Sequence, residues 1–440
     1  MSKSSKTLFV ICAVLSIPIL VSAGEVTTLG GELRIRPEFR DNTDFNSNAD
    51  DRLSFIGERM RLRYSGRPAE GIKGLVELQH TMLWGTTYQT TRSNDLPGVD
   101  FHQAFLSLER ISETPLTISI GRQELSYGEE RLIGPNDWSN YSRAFDALKI
   151  QWDKEKYSID AFGTMIFERS EKIIIKDSTP VVIPSDSYGA DTTFSGLYGS
   201  FKAIKNQLYE GYVLYLRDGL KKSGEGGTVE KRSLDIVTAG LRATGAVASF
   251  DLTGEFAYQF GKNYADNHQA YAGYARVGYT FEMPRMQPRL AVELIYASGD
   301  RQLGDGKSGE FIDLFPSNHA KYGAMDYFGW RNLCASHLNA SAFAIENLKI
   351  AVDYFYFMLP QKSGYWKDAD GNEMIPLSPL YAAEDNIFAG HEVDLKLTYI
   401  YRTLGIEGGY SIFLPGSYVK NFQGQADPSH WAYLQTRLSF

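Results

Sequence analysis

Gly31-Glu-Leu-Arg-Ile-Arg-Pro-Glu-Phe-Arg40 puts Leu33, Ile35, Pro37 and Phe39 on one side of an extended chain. Glu32, Arg34, Arg36, Glu38 and Arg40 fall on the other. A period of two marks a strand, because successive side chains of an extended backbone point to opposite faces. Here one face is apolar and the other is charged throughout. A soluble sandwich buries one face dry and would not repeat this on strand after strand. A wall between hydrocarbon and water needs it. Arg59-Met-Arg-Leu-Arg-Tyr64 carries the same pattern, as do residues 250–260, 290–296, 348–354, 391–399 and 404–412. Dyad segments of about ten residues are the signature of an outer-membrane barrel.

Long and short connections alternate between these segments. Long ones are expected at 41–53, 84–98, 123–144, 166–193, 218–233, 260–270, 298–330, 360–389 and 413–430. Short ones are expected at 66–72, 110–116, 153–156, 202–207, 244–247, 282–288, 342–347 and 400–403. Nine long and eight short connections join eighteen strands and leave both termini at the short-turn end. Bacterial barrels have an even strand count, short periplasmic turns and long extracellular loops. The expected fold is therefore all-β, a transmembrane antiparallel β-barrel of the outer membrane with eighteen strands, sixteen being the alternative. A propeller would repeat every 40–50 residues or so, and no such repeat is present. The chain ends in an amphipathic strand, His430-Trp-Ala-Tyr-Leu-Gln-Thr-Arg-Leu-Ser-Phe440. Its terminal Phe resembles the insertion signal of outer-membrane barrels; an ordinary last strand is the plainer alternative.

Composition agrees. The chain has 440 residues, 27 Tyr, 25 Phe, 6 Trp and 41 Gly, with 43% hydrophobic content. That is too polar for a bundle of transmembrane helices and too aromatic for a disordered chain. The net charge of −8 argues against a nucleic-acid partner. Lys3 and Lys6 precede an apolar run from Leu8 to Leu20, and Val21-Ser22-Ala23 offers small residues for cleavage. Residues 1–23 are expected to be a signal peptide, and 24–440 a single barrel domain. Cleavage would leave Cys334 as the lone cysteine.

The charged face of each strand should line the lumen. Strands one and two then present Arg34, Arg36, Arg40, Arg59, Arg61 and Arg63 to the interior, with only Glu32 and Glu38 among them. Further inward candidates are Lys149, Arg217, Arg242, Arg276, Arg289, Lys349, Lys396 and Arg437. Acidic ones are Glu77, Asp160, Asp251, Glu255, Glu293, Asp353, Glu392, Asp394 and Glu407. Two readings stand. Cross-strand ion pairs could simply tie the wall together, or unpaired arginines could select anions, as rings of Arg or Lys do in anion pores.

Residues 121–146 contain Gly121-Arg122-Gln123, Arg131-Leu132-Ile133-Gly134, Asp137-Trp138 and Arg143-Ala144-Phe145-Asp146. A second block contains Ala297-Ser298-Gly299-Asp300, Asp305-Gly306, Phe315-Pro316-Ser317-Asn318-His319, Tyr322-Gly323 and Met325-Asp326. Both blocks resemble the alginate export family of outer-membrane porins. The resemblance implies a monomeric eighteen-stranded barrel whose Arg- and Lys-rich constriction passes an anionic polyuronate outward. It places Arg122, Arg131 and Arg143 near the constriction. The alternative for each is a loop arginine paired to Glu124, Glu129, Glu130 or Asp146. Expected partners are outer-membrane lipid, an anionic polysaccharide and periplasmic export scaffold proteins; no cofactor is expected.

Enzymatic readings find little support. No His-Glu-x-x-His and no Gly-x-Ser-x-Gly occurs. Ser336 and His337 are adjacent and would face opposite sides of a strand. The expected activity is passive, anion-selective export through the outer membrane of a Gram-negative bacterium. The alternatives are a general porin for small anions or nutrients and a plugged barrel acting as receptor or adhesin.

Overall fold

The computed structural model describes residues 27–85, 98–167, 172–176, 179–183, 192–219, 221–223, 229–231, 233–362, 366–374 and 387–440. The expected signal peptide lies outside them. Eighteen strands form the wall: β1 (Thr28–Asp41), β2 (Leu53–Ala69), β3 (Ile72–Trp84), β4 (Gly98–Leu108), β5 (Leu116–Gln123), β6 (Phe145–Asp153), β7 (Tyr157–Phe167), β8 (Thr192–Phe201) and β9 (Gln207–Asp218). They continue as β10 (Leu234–Val247), β11 (Phe250–Asn263), β12 (Asp266–Thr280), β13 (Arg289–Ala297), β14 (Leu333–Ile345), β15 (Leu348–Met358), β16 (Phe388–Tyr401), β17 (Leu404–Pro415) and β18 (Ser429–Ser439). Each pairs antiparallel with its neighbours in sequence, and β1 pairs antiparallel with β18, which closes the barrel and leaves no open edge.

The chain's last residue makes the seam. Phe440 donates its N–H to the Gly31 carbonyl and accepts the Gly31 N–H at 2.8 Å. A side chain on Gly31 would collide with the Phe440 ring. The terminal Phe is thus part of the closing ladder.

Alternation explains the wall. On β1, Arg34, Arg36 and Glu38 are buried while Leu33, Pro37 and Phe39 are exposed. On β13, Ala291, Glu293 and Ile295 are buried while Leu290, Val292 and Leu294 are exposed. The exposed set is the lipid-facing set, and the barrel satisfies every backbone group of its ladder internally, as a membrane requires.

Two expectations fail at the loop end. Residues 260–270 are not a long connection: β11 and β12 run on to Asn263 and from Asp266, joined by Tyr264 and Ala265 alone. His268 bonds both Gln259 and Ser308, so polar residues that read as loop are holding a ladder. Arg217 faces outward, not inward, since Tyr212, Leu214 and Leu216 are the buried residues of β9. The cause is that long loops fill the outer half of the lumen and give it an apolar core. Phe145, Phe194, Leu214, Ile236 and Phe413 of the wall are buried there with Phe45, Leu132, Phe311, Phe328, Trp330 and Trp366 of the loops. At that end hydrophobicity no longer marks the lipid face. Cys334, the one cysteine among the described residues, sits on the outward parity of β14, between the buried Leu333 and Ala335.

The wall makes a quantitative prediction. Leu241, 72% exposed at the middle of β10, faces lipid. Leu241→Arg should lower folding stability in liposomes by about 2–4 kcal/mol, the cost of a guanidinium near the bilayer midplane. The lumen-facing change Lys349→Gln should leave it within about 0.5 kcal/mol. Urea titration in liposomes measures both.

Candidate functional site

The lumen is organised by two loops that fold into it. L3 is the connection between β5 and β6, residues 124–144; L7 is the connection between β13 and β14, residues 298–332. A loop inside a barrel carries its backbone polar groups with it, and each needs a partner. The inward arginines supply them. Arg34 donates to the carbonyl oxygens of Asp137 at 2.7 Å and Ser139 at 3.0 Å. Arg36 donates to the Trp138 carbonyl at 2.8 Å, and Arg59 donates to the Asp137 carbonyl at 3.0 Å. Gln79 of β3 donates to the Tyr141 carbonyl.

The carboxylates that balance the cluster come from both wall and loop. Arg36 and Arg40 share Glu38, Arg63 pairs with Glu77, and Arg59 pairs with Glu32. Asp137 of L3 stands 2.9 Å from Arg59, 3.2 Å from Arg61 and 3.1 Å from Arg437. The sequence count of six arginines against two glutamates left out Asp137 and Glu77. Of the six, Arg34 and Arg59 are fully buried, whereas the Arg63 side chain is 49% exposed.

The three motif arginines separate. Arg131 is buried against the Tyr274 ring at 3.7 Å and forms an ion pair with Glu293 of β13. Arg143 is part-buried and donates to the carbonyls of Gly134 and Pro316, 3.0 Å each, so it ties L3 to L7. Arg122 departs from the expected placement. It lies on β5 with the outward parity of Ile118 and Ile120, and it grips Asp146 of β6 through two 2.9 Å hydrogen bonds. Its neighbours place it outside the lumen, as an inter-strand clamp.

L3 and L7 lock into each other. Ile133 bridges Phe315, Gly134 donates to the Phe315 carbonyl, and Ser317 donates to the Glu130 carbonyl. The Asn136 N–H reaches the Ser317 hydroxyl. A side chain on Gly134 would collide with that hydroxyl. The Trp138 ring lies 3.7 Å from the His319 ring, nearly parallel, with the Arg36 guanidinium 3.8 Å from the same Trp ring. Offset stacking and cation–π contact each contribute on the order of 1 kcal/mol. The two motif blocks, well separated in sequence, are thus the two halves of one contact. His319 Nδ1 bonds Asp326 at 3.0 Å, and the Ser317 hydroxyl is taken up by the Asn136 N–H. L7 is also pinned to the wall: the Met325 and Ala324 N–H groups donate to Glu392 and Asp394 of β16. Gly323 packs against Glu392 at φ +89°, where a Cβ would collide with the carboxylate.

L3 extends to the opposite wall. Glu129 pairs with Arg131, Arg242 and Arg276. Burial pushes its carboxyl up, but these guanidinium groups outweigh burial and hold it below the usual range. Below the lock the lumen has a different character. Asp160, Glu210, Asp251, Glu255, Glu293, Asp353 and Glu407 each accept a hydrogen bond from a side chain. Lys73, Lys149, Lys349 and Lys396 carry no hydrogen bond or ion pair among the described residues. They lie on the inward parity of β3, β6, β15 and β16. Asp153, the last residue of β6, stands at the rim. The sequence reading ranked the arginines of β1 and β2 above these lysines and passed over Lys73. Residue type alone does not reveal which cations have partners.

The lock gives unequal consequences for the motif arginines. Arg131→Ala removes the nearest buried partner of Glu293, leaving Arg276 at 3.7 Å and His337 at 3.4 Å, and should cost up to about 3–5 kcal/mol, with L3 becoming open to trypsin. Arg122→Ala removes an exposed pair and should cost no more than about 1 kcal/mol. Urea titration in liposomes with a trypsin challenge distinguishes them.

Known proteins bear on this architecture. The barrel is similar to OpdQ of Pseudomonas aeruginosa, with TM-score 0.57 at 13% identity, covering 94% of this chain and 98% of that one. It is similar to OprD of the same organism, with TM-score 0.57 at 11% identity and 95% coverage of both chains. OccK11 (OpdR), also of that organism, matches with TM-score 0.57 at 12% identity, covering 96% and 98%. At such identities the likeness shows the fold. No protein of curated function matches the sequence. The alginate export family matches residues 26–433, which include every barrel strand but the end of β18 and both halves of the loop lock. The chain is an outer-membrane β-barrel porin and belongs to the alginate export family.

Proposed function

We propose that this porin is a passive channel favouring anions, and that its substrate class is a polyuronate such as alginate, moving outward from the periplasm. One observation carries the reading: among the described residues the periplasmic half of the lumen holds four inward lysines without partners, while its inward acids, Asp153 at the rim apart, already accept side-chain hydrogen bonds. A carboxylated polymer entering there meets ammonium groups free to pair with it. Each ammonium is a weak, replaceable contact, and several in succession allow a chain to advance without being trapped. The family membership supports the same substrate class. Guanidinium groups at the lock, Arg437 foremost with its side chain 38% exposed, would then replace water around carboxylates at the narrow level.

A second reading, a porin for small anions, is favoured by the packing of L3 and L7 across the outer half of the lumen, which suits a small solute better than a polymer.

Reversal potential in a planar bilayer under a salt gradient tests the proposal. The protein should be anion-selective, and an oligouronate on the periplasmic side should block the current. Lys149→Gln with Lys396→Gln should cut the anion-to-cation permeability ratio severalfold. Cation selectivity in the unsubstituted protein, or no response to the double substitution, would overturn the lysine-based reading. Anion selectivity without oligouronate block would leave the small-anion porin.

A further inference from the structure

The Asp137 carboxylate sits where a substrate carboxylate would be expected to sit. It lies at the turn of L3 with its side chain 39% exposed. Its oxygens face three guanidinium groups from two strands, β2 and β18: Oδ1 is 2.9 Å from Arg59 and 3.2 Å from Arg61, and Oδ2 is 3.1 Å from Arg437. Glu32, bound to Arg59 and Arg437, and Glu77 and Glu124, 3.8 and 4.0 Å from Arg61, are the other carboxylates beside them. Planar guanidinium groups recognise carboxylates through parallel hydrogen bonds, and the fork geometry is the same whether the carboxylate belongs to a protein or to a sugar acid.

The cage has donors to spare. Arg61 Nη2 is buried without a hydrogen-bond acceptor, as is Nε of the neighbouring Arg34. Burial pushes the Asp137 carboxyl up, but Arg59, Arg61, Arg34 and Arg437 together outweigh it and hold it below the ordinary carboxylate range. It therefore remains an anion at neutral pH. The loop does not depend on this side chain alone: Arg34 and Arg59 hold the Asp137 and Ser139 carbonyls, and Arg36 holds the Trp138 carbonyl.

We infer that Asp137 is an internal stand-in for the transported carboxylate, which it occludes by occupying the Arg59–Arg61–Arg437 cage until a uronate displaces it. The inference rests on the anion-channel reading and adds to it a site, a ligand class and a built-in competitor. The incoming carboxylate exchanges one ion pair for another, so the cage is never left as bare positive charge. That keeps the exchange cheap, since leaving a buried charge unpaired is the costly step. Displacement frees the Asp137 side chain and loosens residues 137–139 of L3 on their backbone anchors, opening the lumen beside the cage.

Two measurements test it. In planar bilayers, Asp137→Asn removes the competing charge while keeping the backbone anchors. The half-blocking concentration of a tri-uronate should fall severalfold, and a neutral trisaccharide should remain without effect. An unchanged or higher half-blocking concentration would overturn the inference. The second measurement does not depend on that variant folding. In a Cys334→Ala background, Ser139→Cys is treated with a water-soluble thiol reagent. Its labelling rate should rise severalfold with the tri-uronate and not with the neutral sugar; protection or no change would overturn the inference. Unsubstituted protein that is neither anion-selective nor blocked by uronate defeats the underlying reading and this one with it. Anion selectivity and block with an unresponsive Asp137→Asn defeat only this one.

Discussion

A loop folded into a barrel brings into the lumen many backbone N–H and C=O groups that water no longer reaches freely. Each must find a partner or cost about 1–3 kcal/mol. The inward arginines of β1 and β2 answer that constraint. A guanidinium has five donors in a fixed fork, and Arg34, Arg36 and Arg59 spend theirs on the carbonyls of residues 137–139. L7 is held by the opposite chemistry, with two carboxylates of β16 accepting the N–H groups of Ala324 and Met325. Basic wall meets loop carbonyls, and acidic wall meets loop amides. The position of each loop follows from that division.

Once pinned, the loops make a core of their own. Phe45, Phe328, Phe357, Phe413 and Trp366 stack or tilt against one another between loop and wall. Fully burying one such ring stabilises the fold by about 1.5–3 kcal/mol. The barrel thus has two interiors: a packed outer half that behaves as a protein core, and a wet periplasmic half where charge governs.

This division explains how much the sequence disclosed. Eighteen strands, the closing strand and the inward face of β1 and β2 were legible because a lipid-facing wall enforces period two. Legibility ended where the loop core begins. Arg217 was misassigned because Leu214 and Leu216 are apolar and yet inward. Arg122 was placed in the constriction by its motif, and its outward parity appears only with the register that joins it to Asp146. The arginine cluster seemed unbalanced because its counter-charge, Asp137, lies more than a hundred residues from Arg34 and reaches it only when L3 folds inward. Partnership between distant residues leaves no local trace. Lys73, Lys149, Lys349 and Lys396 are the converse case, since sequence does not show that they have no partner among the described residues.

The arginine wall, acting on loop carbonyls, holds L3 inside the lumen. Pulsed electron paramagnetic resonance between spin labels at Asn136 in L3 and Thr403 in a periplasmic turn, in a Cys334→Ala background, reads it directly. The account predicts one narrow distance distribution in the folded barrel, shifting to longer and broader values when Arg34 and Arg59 are both replaced by Ala. A distribution already broad with the arginines present, or one unmoved by their loss, would contradict it.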